Sequence, residues 1–156
     1  MMSQRANYYL SAPRAFDLLL EQESILKAQF EAIPELGITL WELVKLRVSQ
    51  INHCAFCLEM HSTQAAEAGE SSQRMIALNA WRDSPLFTES EQQALRFTEQ
   101  LVTGQSIDQN NYQALVATFG ETGLTYLTLA VNAISGWNRV VKVFLPEIGS
   151  WRQVSS

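Results

Sequence analysis

Cysteine and histidine are scarce in this chain, with two of each among 156 residues. A chain of this length closes a hydrophobic core without disulfide staples, so the few cysteines are free for other work. Charge is also scarce: Asp, Glu, Lys and Arg make up 17%, while hydrophobic residues reach 47%. A soluble domain ordinarily carries a quarter of charged residues, and the shortfall predicts apolar surface to be covered in an oligomer. The net charge of -5 comes without any dense Lys/Arg run, which argues against nucleic-acid binding. No charged start leads into an apolar segment, so no signal peptide is expected. No uninterrupted apolar run approaches the roughly 18 residues of a membrane helix, and a cytoplasmic location without membrane attachment follows as the expectation. In a reducing compartment an accessible cysteine pair is more often catalytic or metal-binding than structural.

Strand signals are absent as well. Nothing alternates with period two, and there is no Asn-Gly or Asp-Gly turn. Helical punctuation runs throughout. Ser11-Ala12-Pro13 opens a helix carrying Phe16, Leu19, Leu20, Leu26 and Phe30, closed by Pro34 and Gly37. Thr39-Leu-Trp-Glu42 has the form of a capping box, followed by a helix with apolar residues on more than one face and a break at Asn52-His53. A third helix spans about 54–68 before Gly69, and a shorter one starts at Ser71 or Ser72. Thr88-Glu-Ser-Glu91 is a second capping box, and Asp108 caps a helix stopped by Gly120. The last helix, about 121–144, ends before Pro146, and Gly136 inside it suggests a close crossing or a kink. No linker or repeat divides the chain. The expectation is one all-α domain over 1–156, of six or seven helices.

Both cysteines and both histidines fall within nine residues, His53-Cys-Ala-Phe-Cys-Leu-Glu-Met-His61. Offsets of three and four place Cys54, Cys57 and His61 on one helix face. Cys54 sits at a helix start, where free N–H groups favour a thiolate, while Cys57 lies one turn from an imidazole that can exchange its proton. A Cys-x-x-Cys at a helix N-terminus can also close into a disulfide. Leu58, where a c-type haem site needs His, excludes haem, and the helical pattern argues against a thioredoxin unit. Zinc would need His53, Cys54, Cys57 and His61 around one ion, which their crowding disfavours. Two buried core cysteines are the plainest alternative. Glu42 is explained by its capping box alone.

Glu42, Cys54, Cys57 and His61, in the pattern Glu-x11-Cys-x-x-Cys-x3-His, resemble the signature of the AhpD-like alkylhydroperoxidases within the carboxymuconolactone decarboxylase superfamily. The framing residues from Glu42 to Asn52 and the later Trp137-Asn138-Arg139 are similar too, and the core motif covers about 36–69. The resemblance implies an all-α homotrimer or homohexamer that reduces organic hydroperoxides. It makes Cys57 the peroxidatic and Cys54 the resolving cysteine, with Glu42 and His61 as a proton relay. It implies no cofactor beyond a redox-active disulfide, no metal, and a lipoyl- or thioredoxin-like dithiol as reductant. Phe56 and His53 depart from the pattern: some members have His at the first position, and many have Gly at the second. His53 is therefore a candidate auxiliary cation beside Cys54, and Trp41, Phe56, Phe30 and Trp137 are candidates for an apolar pocket. Two alternatives remain open: a decarboxylase-type enzyme that does not use the cysteines, and a redox-sensing or dithiol-carrying protein with little turnover.

Overall fold

The computed structural model describes residues 5–153. Its helices are α1 (Tyr8–Ser11), α2 (Pro13–Ala32), α3 (Gly37–Ile51), α4 (Ala55–Glu67), α5 (Ser72–Ala77), α6 (Glu89–Val102) and α7 (Gln109–Phe144). Two 3-10 turns, Leu78–Asp83 and Ser150–Gln153, complete the order, and no strand occurs among the described residues. The all-α expectation holds.

Helix α3 is the axis of the fold, packing against α2, α4, α6 and α7. It is apolar on two sides because it serves two cores. Leu40, Trp41, Val44 and Val48 join Leu26, Phe30, Phe97, Leu127 and Ile134 in one cluster. Leu43 and Leu46 face the other way, against Ala65, Leu78, Trp81, Phe87 and Leu95. Full burial of one such side chain contributes about 1.5–3 kcal/mol. Arg47 fastens the outer edge: its Nε donates to Glu99 Oε1 at 2.8 Å, and the same oxygen accepts from Trp81 Nε1 at 2.8 Å.

The helix ends follow the chain's punctuation with three corrections. Thr88 and Glu91 form the expected capping box, and Asp108 accepts from Asn111 N–H. The box expected at Thr39 does not exist: α3 begins at Gly37 after Leu36, so Thr39 lies inside the helix and Glu42 caps nothing. The left-handed φ of 83° at Gly37 lets the chain turn into the helix three residues early. A short helix, α1, precedes the first expected one, with Asn7 accepting from Tyr9 and Leu10 N–H groups. Finally, Gly136 marks no kink: the backbone of α7 breaks at Gly120, with φ 70° and ψ 165°, where the sequence already stopped one helix and began the next. Gly136 is exposed, and a Cβ built on it meets nothing within 4 Å, so no close crossing requires it.

By length and composition α7 is also long and apolar enough to cross a membrane, where the sequence showed no uninterrupted apolar run. It is instead broken at Gly120 and packed against α2, α3 and α6.

Candidate active site

The break between α3 and α4 places the cysteines. Two bonds, His53 N–H to Gln50 O at 3.2 Å and Cys54 N–H to Ser49 O at 3.0 Å, close α3 as a Schellman turn. The residue that must turn left-handed is His53, with φ 53°. Glycine is favoured there because it has no Cβ to clash. The departure of His53 from the expected glycine is thus a conformational matter. His53 is exposed and is not among the residues lining the cleft described below.

Asn138 of α7 braces the same turn. It is fully buried, donating from Nδ2 to Ser49 Oγ at 3.1 Å and accepting from Asn52 Nδ2 at 3.1 Å. The turn delivers Cys54 as the N-cap of α4 in extended conformation, φ -96° and ψ 93°. Because Cys54 stands outside the helix, its sulfur reaches back to Cys57, and the two form a disulfide with Cα atoms 5.3 Å apart. Cys54 Sγ also accepts from Cys57 N–H at 3.4 Å. Both residues are buried, 2% and 1% exposed, rather than accessible. They cluster with Phe56 and Val141, and Met60 and Trp151 pack against them. Trp151 is fixed by Nε1 donating to Glu59 Oε2 at 2.7 Å, and Arg152 pairs with the same carboxylate.

One face of this cluster opens on a cleft of about 1660 Å³. Its wall includes Cys57, His61, Glu42, Trp41, Phe56 and Trp137, gathered from α3, α4 and α7. Phe30, expected in the pocket, is fully buried behind it and meets Trp41 edge-on at 5.1 Å. Trp137 belongs to an aromatic group with Tyr9 and Phe16.

Glu42 and His61 meet across α3 and α4 with Oε2 3.5 Å from Nδ1, and each is only 4% exposed. Neither atom has a hydrogen-bond partner among the described residues. A movement of a few tenths of an ångström would make the contact a hydrogen bond. Burial lowers the His61 pKa, and the positive charge of Lys45 lowers it further, while Glu42 and Glu23 oppose both. His61 is therefore biased toward the neutral imidazole, the form that accepts a proton.

Lys45 was missed by the sequence reading. It is 3% exposed, lines the cleft, pairs with Glu23 of α2, and has Nζ 4.0 Å from the Trp41 ring centroid. Burial lowers its pKa, and Glu23 is the main opposing influence. The available signal was a three-residue offset from Glu42, which puts both on one helix face. Glu23 carried no such signal, being 22 residues from Lys45. The four-ligand zinc arrangement is not assembled: both thiols are in the disulfide, and no three His, Cys, Asp or Glu residues group as metal ligands among the described residues.

Residues 23–100 match the sequence profile of the carboxymuconolactone decarboxylase family. The uncharacterised protein YdfG of Bacillus subtilis is 33% identical over 141 residues, covering 89% of this chain and 92% of YdfG.

The chain belongs to the carboxymuconolactone decarboxylase family.

The uncharacterised Escherichia coli protein YnjA is 37% identical over 90 residues, 57% of this chain and 50% of YnjA. A crystal structure from Agrobacterium tumefaciens superposes with a TM-score of 0.83 at 29% identity, covering 93% of this chain and 97% of that one. That protein is described as of unknown function and proposed to be the antioxidant defence protein AhpD. Within this family the present chain is AhpD-like. The matched segment contains Glu23, Glu42, Lys45 and both cysteines, whereas Asn138 and Trp137 lie beyond it.

Proposed function

We propose that this protein is a thiol peroxidase that reduces organic hydroperoxides through Cys54 and Cys57. The observation that carries the reading is the position of Cys57. It is one half of a disulfide at a helix start, and it shares the wall of a cleft with His61, Glu42 and the aromatic rings of Trp41, Phe56 and Trp137. In the reduced protein His61 takes the Cys57 proton, and the thiolate attacks the terminal oxygen of the hydroperoxide. The O–O bond breaks, Cys57 becomes a sulfenic acid, and the departing alkoxide recovers a proton from His61 to leave as alcohol. The Cys54 thiol then attacks the sulfenic sulfur, releasing water and forming the disulfide. An external dithiol, lipoyl- or thioredoxin-like, restores both thiols by exchange and is itself oxidised to a disulfide. Glu42 positions His61 and balances its charge. Assembly as a homotrimer or homohexamer belongs to the same reading, and the exposed Leu18, Leu20 and Ile25 of α2 supply apolar surface for it.

The test is one equivalent of cumene hydroperoxide added to reduced protein and read by intact mass. A loss of two hydrogens is expected for the wild type, and a sulfenic acid on Cys57 for Cys54→Ser. Absence of the disulfide in the wild type would end the reading. The burial of both sulfurs favours a second reading, a dithiol carrier or sensor, because exchange with an outside partner then requires local opening. It predicts stoichiometric oxidation without sustained peroxide consumption when a dithiol is supplied.

A further inference from the structure

Eleven lysines and arginines occur in the chain, and Lys45 is the one among the buried residues; it lines the same cleft as Cys57 and His61. Burying a charge costs several kcal/mol even when it is paired, and an apolar side chain of the same size is often as stable or more so. The fold nevertheless holds Lys45 in place twice over, by Glu23 from α2 and by the face of Trp41. Those contacts explain how the charge is tolerated. They do not explain why it is there.

The explanation lies in the neighbouring pair. A buried carboxylate alone beside an imidazole draws it toward imidazolium, and an imidazolium accepts no proton. Glu42 stands in that relation to His61, and Glu23 adds a second negative charge from α2. Lys45, three residues after Glu42 on the same face of α3, is the opposing charge. We propose that Lys45, held by Glu23 and Trp41, is a positioning residue that offsets the Glu42 carboxylate, so that His61 works as a neutral base for Cys57. The proposal rests on the thiol chemistry above for its purpose, but its electrostatics stand on the cleft alone.

The charged groups acting on Lys45 are Glu23 and Lys27 from α2 and Glu42 from its own helix. His61 feels Glu42, Lys45 and Glu23. From α7 the cleft receives only side chains that do not titrate, Trp137 among them, while Arg5, Tyr8, Tyr9, Lys27, Glu67 and Glu147 also lie on its wall. The burial of His61 and the Lys45 charge act on it in the same direction.

The oxidised protein offers a clean test, because disulfide-bonded Cys57 does not titrate. With only two histidines in the chain, the His61 ring protons can be followed by NMR, and a His53→Gln background removes the other signal. The His61 midpoint is expected to rise by about one pH unit in Lys45→Met and to stay at the wild-type value in Lys45→Arg. The Lys45→Arg arm keeps the charge in place and protects the test from a variant that merely loosens the fold. An unmoved midpoint in Lys45→Met, or an equal rise in Lys45→Arg, would overturn the proposal. These outcomes do not depend on peroxide, so they separate from failure of the peroxidase reading. If cumene hydroperoxide does oxidise the reduced protein, the acid limb of its rate profile moves up with the same midpoint in Lys45→Met.

Discussion

Glu42 had two explanations in the sequence, and the fold leaves one. As the third residue of a capping box it would have been occupied by its own backbone, but α3 starts at Gly37 and the carboxylate faces His61. The two residues of the supposed box should therefore behave oppositely. Thr39→Ala should leave the urea midpoint within the range of a neutral substitution, about 0.5 kcal/mol. Glu42→Gln should slow peroxide-driven disulfide formation by about 10²-fold, the scale of a lost acid–base contribution, as read by stopped-flow Trp fluorescence. A slow Glu42→Gln with an equally damaged Thr39→Ala would point back to helix capping. Lys45 teaches the complementary lesson. A lysine in an amphipathic helix is read as a solvated residue by default, and only the packing of α2 over α3 reveals it as a buried charge.

At the scale of elements, the join between α3 and α4 is what builds the site. The Asn52-His53 break was legible because asparagine stops and caps helices readily. The bracing of that break by Asn138, 86 residues away in sequence from Asn52, was not. His53 occupies the left-handed position that closes α3, at φ 53°. His53→Gly should therefore stabilise the protein, by up to about 1 kcal/mol after the greater flexibility of unfolded glycine is subtracted. It should leave the pH profile of Cys54 alkylation unchanged, since the side chain is exposed. A destabilised His53→Gly, or an altered alkylation profile, would restore His53 as an auxiliary cation. The C-terminal turn adds another join, with Glu59 of α4 holding Trp151 against the disulfide cluster. Its partners hold the Glu59 carboxyl below the usual range, the Trp151 hydrogen bond first and Arg152 second.

For the molecule as a whole, burying the cleft pair links stability to pH. The folded pKa of His61 lies below its ordinary 6.5, chiefly through burial. Below pH 6.5 the unfolded chain takes up a proton that the folded one refuses. Stability is thus full above that value and falls as pH drops, by about 1.4 kcal/mol per pH unit until the folded pKa is reached. Urea denaturation at pH 7 and pH 5 should show a smaller loss for His61→Gln than for wild type. Equal losses would mean that other groups carry the acid sensitivity. By itself the sequence determined the helical class, most of the helix ends, and the placing of Cys57 and His61 one turn apart on the helix that Cys54 opens. These are local matters, set by residue spacing and by which side chains satisfy free backbone groups at a helix end. Tertiary structure alone decided that Glu42 faces His61, that Phe30 stands behind the cleft, and that Glu23 and Lys45 lie inside it. The physical reason is that a charge's meaning depends on its burial and its partners, and both come from helices that meet only when the chain has packed.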